Sequence, residues 1–251
     1  IWNNFKNNQK YFTIRYNKSE LLTNDYLESG LLRSLIINAK LSKVVSFCPP
    51  KSFNYHKDQI YYNEIFKNQE IYAEEFVDGT MINLFWDENI QVPGKSLKGD
   101  WEIATKSCVG GNIGFYLHNQ SKTFRQMFLE ASNDCNFDFN LLPRYSGNNN
   151  QLSYSFVLQH KENRIVVPYK KNSIYLIDVY EIEQKEELLN IHLYDKQLDK
   201  ENIYKKCSNI GISFPTIYEN NVDSLDKINN LIHLYGSRNT AYYIQGFVLK
   251  A

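Results

Sequence analysis

The residues of this chain that could do chemistry fall mostly outside familiar patterns. Four cysteines, Cys48, Cys108, Cys135 and Cys207, form no CxxC pair and no metal-ligand spacing. They read as free thiols of a reducing compartment. The run Val109-Gly110-Gly111-Asn112-Ile113-Gly114 lacks the lysine and hydroxyl of a phosphate-binding loop and reads as a flexible loop. The stretch that stands out is Glu74–Trp86. An apolar approach turns sharply at Asp78-Gly79, and a strand-like segment leaves through Ile82, Leu84 and Phe85. Turn residues between two hydrophobic runs mark a hairpin or a strand exit. Phe76, two residues before Asp78, has a phenyl ring with no lone pair to attack with.

These positions sit in a chain long enough for a substantial core. Its 251 residues suit one larger domain or two small ones, and an apolar share of 43% with 15 Phe and 19 Tyr can fill that core. The 28 basic and 28 acidic residues balance, so there is no global basic footprint for nucleic acid. A local groove remains compatible with that balance. No signal peptide and no spanning apolar run is visible, which points to an intracellular, cytoplasmic protein without membrane contact. Abundant Asn, Lys, Ile and Tyr have the look of an AT-rich viral, protist or low-GC genome. The chain starts at Ile1 rather than Met, as a fragment would.

The positioning elements can be read in order. Phe12, Ile14 and Tyr16 alternate as a first strand, and two short strands with a Pro49-Pro50 turn fit Leu21–Lys57. Asp87–Asp100 is a polar loop, and Trp101–Ser107 is a strand. Phe124, Met127, Phe128 and Ala131 recur at helical spacing and predict an amphipathic packing helix over Ser121–Ser132. Asn133–Gln151 is a polar loop. Ser153–Leu158 and Ile174–Tyr180 are sheet strands. Lys185–Asn230 is expected to be mostly helical, with Val222, Leu225, Ile228, Leu231 and Ile232 on one face of a helix pair against the sheet. Tyr242–Ala251 closes the chain.

Taken in this order, the motifs resemble the covalent nucleotidyltransferases (DNA ligases, RNA ligases and mRNA capping enzymes), and within them the phage tRNA-repair RNA ligases. Phe76-Val77-Asp78-Gly79 resembles motif I, whose first residue is the lysine nucleophile in that family. Upstream, Arg33, Lys51 and Phe53 match an element that lines the ATP pocket, with Ser34 for a glycine and Ser52 for a phenylalanine. Lys106 matches a lysine on the strand after motif I that faces the nucleotide, where it contacts phosphate as a point charge. Ser153–Val167 resembles motif III and the Asn163-Arg164-Ile165-Val166 element, with Ser155 for the motif's acid. Gln245-Gly246-Phe247-Val248 resembles motif IV, with Gln245 for a metal-holding glutamate. Motif V would fall beyond Ala251.

The resemblance spans roughly Glu28 to Lys250. It implies one α+β nucleotidyltransferase domain of the ATP-grasp-like ligase type over residues 1–251. Residues 1–60 supply N-terminal strands and nucleotide contacts. Residues 61–251 form the core, and two antiparallel sheets with flanking helices surround a nucleotide cleft. ATP and Mg²⁺ are the implied cofactors, and a nucleotide or an RNA end is the implied ligand. Arg33, Lys51, Phe53, Asp78, Gly79, Lys106, Arg164, Gln245 and Gly246 are the implied contacts. The changed positions Phe76, Ser155 and Gln245 each lose a nucleophile or a negative charge, and lysyl-nucleotide chemistry needs both the amine and the metal. The first reading is therefore a degenerate RNA-ligase-like protein that binds without self-adenylylating. Its alternatives are an active ligase using Lys106 as a displaced nucleophile, and a fold reused as a structural or assembly subunit. A further alternative is an ordinary α+β domain with chance motifs, in which Arg33, Lys51, Asp78 and Lys106 do not converge.

Overall fold

The computed structural model describes residues 1–6, 9–17, 30–52, 69–94, 96, 98–114, 121–163, 165–186, 188–194, 211–238 and 240–250. Among these residues the fold is α+β, and the strands form three antiparallel sheets rather than the two expected. Strands β1 (Trp2–Lys6), β2 (Gln9–Ile14), β3 (Leu35–Asn38) and β4 (Lys43–Phe47) make the first sheet in sequential order. The central sheet contains β6 (Thr80–Asp87), β7 (Asp100–Ala104), β8 (Gln151–Gln159), β9 (Ser173–Lys185) and β10 (Leu188–Leu193), in the order β10-β9-β8-β6-β7. The third sheet has β5 (Tyr72–Glu75) at its centre, between β11 (Ile217–Glu219) and β12 (Phe247–Lys250).

Strand alternation gives the central sheet two different faces. Ile82, Leu84 and Trp86 of β6, with Leu152, Tyr154, Phe156 and Leu158 of β8, pack on helix α1 (Phe124–Asp134) through Phe124, Met127, Phe128 and Ala131. Thr123 and Gln126 close a capping box at the start of α1, so the helix begins three residues later than its periodicity suggests. The opposite face presents Phe85 and Ala104 to Tyr11, Ile36 and Val45 of the first sheet. Tyr180 and Ile182 of β9 meet Leu35, Val44 and Phe47 there as well. Gln151 Nε2 ties the layers by donating to Val45 O and Trp86 O, both at 2.9 Å. Ser153 Oγ lies 3.0 Å from Ser46 Oγ and accepts Phe47 N at 3.1 Å.

Three expected elements are corrected. The first-strand alternation has the opposite phase: Tyr11 and Thr13 are fully buried while Phe12 and Ile14 are half-buried. Tyr11 wins the inner position because its hydroxyl donates to Asp87 Oδ2 at 2.5 Å. Lys185–Asn230 is not mostly helical among its described residues. It holds β10, β11 and one helix, α2 (Leu225–Tyr235), which packs Ile228 and Leu231 on Ile71 and Ala73 of the third sheet. The 133–151 loop is less polar in role than in composition, since Phe137 and Leu142 join the α1 core.

Phe76–Gly79 is the crossover from the third sheet to the central one. Gly79 makes it possible with φ +149°, a conformation open to glycine. A Cβ there would lie 2.5 Å from Leu158 O and 2.6 Å from Val157 Cγ1. Gly79→Ala is expected to cost roughly 2 kcal/mol in urea unfolding, from strain and overpacking together.

Candidate functional site

Of the positions singled out by sequence, Ser155 lies on the face of the central sheet that looks toward the first sheet, and Arg33 and Lys106 act electrostatically on Cys48, which follows β4 of that first sheet. A bulge in the β8–β9 pairing decides what is there. The register runs Ser155 opposite Asp178, then Phe156 opposite Leu176, leaving Ile177 as the extra residue. Asp178 is thereby set opposite Ser155 on the same face as Tyr180. Ser155 is fully buried and its hydroxyl donates to Asn83 Oδ1 at 3.2 Å.

Cys48 lies at the centre of this face, fully buried. Burial pushes its thiol up to about 11, with Arg33, the Asn83 amide and Lys106 pulling the other way and Asp178 adding to the rise. Arg33 and Lys106 thus act on the same sulfur from two different segments. Lys106 Nζ also lies over the Tyr16 ring, 4.1 Å from its centroid, a contact made by the charged ammonium. Ser34 Oγ, fully buried near Cys48, has no hydrogen-bond partner among the described residues, and Asn83 Nδ2 has none beyond the Cys48 thiol. Ser34 is tied to the site through its carbonyl, which accepts Cys48 N at 3.1 Å.

The Phe76–Gly79 crossover is built differently. Phe76 is 44% exposed, and its backbone N–H donates to Gly246 O at 3.0 Å, so the crossover is adjacent to the Gln245-Gly246 turn. Asp78 is buried, and its Oδ2 accepts Val166 N (2.9 Å), Val167 N (2.7 Å) and Tyr169 OH (2.9 Å). That carboxylate oxygen anchors the 165–169 segment. Gln245 is exposed, and Gly246 has φ +144°. Lys51 follows β4; its backbone N–H donates to Gly30 O at 3.0 Å and its Nζ to Ser52 O at 3.2 Å. Phe53, Arg164 and Cys207 lie outside the described residues.

The face also carries an ion triad that the sequence reading did not single out. Lys250 Nζ, on β12, is 2.6 Å from Glu74 Oε1 on β5 and 2.9 Å from Asp178 Oδ1 on β9. The only signal in the sequence was an acid inside the apolar run Ile174-Tyr175-Leu176-Ile177-Asp178-Val179-Tyr180.

The arrangement does not fit a resident Mg²⁺. Positions 155 and 245 offer a hydrogen-bonded hydroxyl and an exposed amide, and an amide brings no charge to a hard cation. The two acids that remain nearby, Glu74 and Asp178, are bound to Lys250. Among the described residues no group of three or more His, Cys, Asp or Glu is placed to hold a metal ion, and no helix is long and apolar enough to cross a membrane. No protein-family model and no curated protein sequence matches the chain.

Proposed function

We propose that this chain is an RNA-ligase-like nucleotidyltransferase-fold protein that holds a nucleotide or an RNA end reversibly and forms no covalent lysyl-nucleotide. The observations that support the reading are an exposed Phe76 at the motif I position and the charges of Arg33 and Lys106, both of which are felt by the buried Cys48 thiol. Cations near an orphaned polar atom suit a phosphate-bearing ligand. A phenyl ring at the nucleophile's place suits binding alone. Lys106 is a poor substitute nucleophile, because its ammonium is engaged on the Tyr16 ring, and an attacking amine must be unprotonated and correctly placed.

The test is incubation with α-labelled ATP or GTP and Mg²⁺ or Mn²⁺, read by denaturing gel and intact mass, with equilibrium dialysis for reversible binding. The expected result is binding without a mass increase. Phe76→Lys is also expected to give no adduct, since Ser155 and Gln245 still supply no acid. Lys106→Ala should weaken binding about tenfold, the loss of one charge-assisted contact. A nucleotide-sized mass increase on the unaltered chain would refute the reading, and its mapping to Lys106 would establish the displaced-lysine alternative.

A second reading, an assembly subunit, draws on the exposed aromatics Tyr242 (77%) and Tyr243 (62%) beside the motif IV equivalent. Sedimentation of the purified chain tests its simplest form: a concentration-dependent oligomer abolished by Tyr242→Ser and Tyr243→Ser would favour it, and a monomer that binds nucleotide would not.

A further inference from the structure

The Lys250 triad joins the third sheet to the central one, and its geometry follows from alternation. Leu249 and Ala73 face α2, so their neighbours Lys250 and Glu74 face the central sheet, where the β8–β9 bulge has placed Asp178. The three side chains are 19%, 5% and 5% exposed. Two nearly buried carboxylates aimed at one point make the donor arrangement that a hard divalent cation seeks. Here the point is filled by an ammonium on a strand of the same chain. Burial works to lower the lysine's pKa, but Asp178 and Glu74 outweigh it and hold Lys250 well above the ordinary lysine range. The ammonium therefore stays charged across the physiological range and is no nucleophile. One lysine offsets only one of the two carboxylate charges. Arg33 and Asp178 act in opposite directions on both Tyr180 and Cys48, so a second cation is felt in the same neighbourhood.

We propose that Lys250 is a built-in cation, standing between Glu74 and Asp178 where a divalent metal ion would otherwise bind, so that the neighbouring ligand is held without metal. The second clause rests on the binding function proposed above, and the first does not. An internal cation differs from a metal in two ways that matter to function. It cannot be removed by chelation, and it fastens the C-terminal strand β12 to the central sheet. It also cannot bridge to a ligand's phosphate as a multivalent ion does, because its three donors are fixed in number and it brings a single charge.

The decisive titration uses Mn²⁺ alone, followed by the electron paramagnetic resonance signal of the free ion. The unaltered chain is expected to leave the signal unchanged. Lys250→Met should remove the signal of one equivalent, through the vacated carboxylate pair. Lys250→Met combined with Asp178→Asn should lose that gain. Should Lys250→Met fail to fold in EDTA, recovery of its native circular dichroism on adding Mn²⁺ supports the proposal, and failure to recover overturns it. Binding of Mn²⁺ by the unaltered chain that disappears in Asp178→Asn also overturns it. Dialysis of labelled ATP in EDTA and in Mg²⁺ then tests the second clause. Equal affinity supports it, and binding only in Mg²⁺ overturns it. Absence of nucleotide binding in both buffers counts against the proposed function, while the Mn²⁺ titration still decides the role of Lys250.

Discussion

Replacing Asp78 with alanine is expected to lower the unfolding free energy by about 3–5 kcal/mol, seen as an earlier urea midpoint with an unchanged slope. The magnitude comes from what the carboxylate holds. Its Oδ2 receives two backbone N–H groups, from Val166 and Val167, and the Tyr169 hydroxyl. Val167 is buried, so its N–H cannot turn to water when the acceptor is gone. A buried donor left without a partner costs about 1–3 kcal/mol, and hydrogen bonds to a charged acceptor are the stronger kind. Asp78→Asn keeps one acceptor oxygen and should lose less than half as much. The comparison also separates two roles for the residue. An aspartate acting only on a ligand would leave the midpoint in place and weaken binding. One that anchors the 165–169 segment shifts the midpoint first, and binding follows because Phe76 and Gly246 border the same crossover.

How far the sequence discloses this molecule depends on whether a feature is local. The strands of residues 151–159 and 173–185 could be read because their apolar alternation is long and regular. The helix of residues 124–134 could be placed to within a few residues for the same reason. The bulge between Ser155 and Phe156 could not, since it is a property of the pairing and not of either strand. Strand β10 was hidden because Leu188–Leu193 is mostly exposed and draws its order from hydrogen bonds to the β9 edge, a tertiary effect that outweighs composition. The third sheet was hidden because β5 pairs with strands from the far end of the chain. The site divides in the same way. Phe76, Asp78 and Gly79 are contiguous, so the crossover was visible at once. Arg33 and Lys106 were named through a resemblance, and only the fold brings both charges within electrostatic reach of Cys48. Lys250, Glu74 and Asp178 come from three distant strands, and each alone looks like an ordinary charge at a strand position.

Arg125→Ala should destabilise the chain by about 3–5 kcal/mol, because it withdraws the guanidinium from a carboxylate that has no access to water. Glu102 is fully buried on β7, and Arg125 Nη1 lies 2.5 Å from its Oε1, which also accepts Ile103 N at 2.9 Å. The same guanidinium donates to Gly110 O at 3.3 Å, and the Arg125 backbone N–H donates to Gly111 O at 3.0 Å. Helix α1 thus fastens the turn that leaves β7, and that turn carries Lys106. Arg125→Lys should recover only part of the loss, since an ammonium is more strongly hydrated than a guanidinium and costs more to seat beside the buried Glu102. Glu102→Gln should be milder than Arg125→Ala, because a neutral amide costs less to bury than an uncompensated charge. The double variant Glu102→Gln/Arg125→Ala should be more stable than Arg125→Ala alone, a coupling that a double-mutant cycle in urea measures directly. Additive losses would mean that the two residues act independently and that the turn bearing Lys106 is held by backbone contacts alone. Non-additive losses, joined to weaker nucleotide binding in Arg125→Ala at temperatures where it remains folded, would place the support for Lys106 in this buried pair.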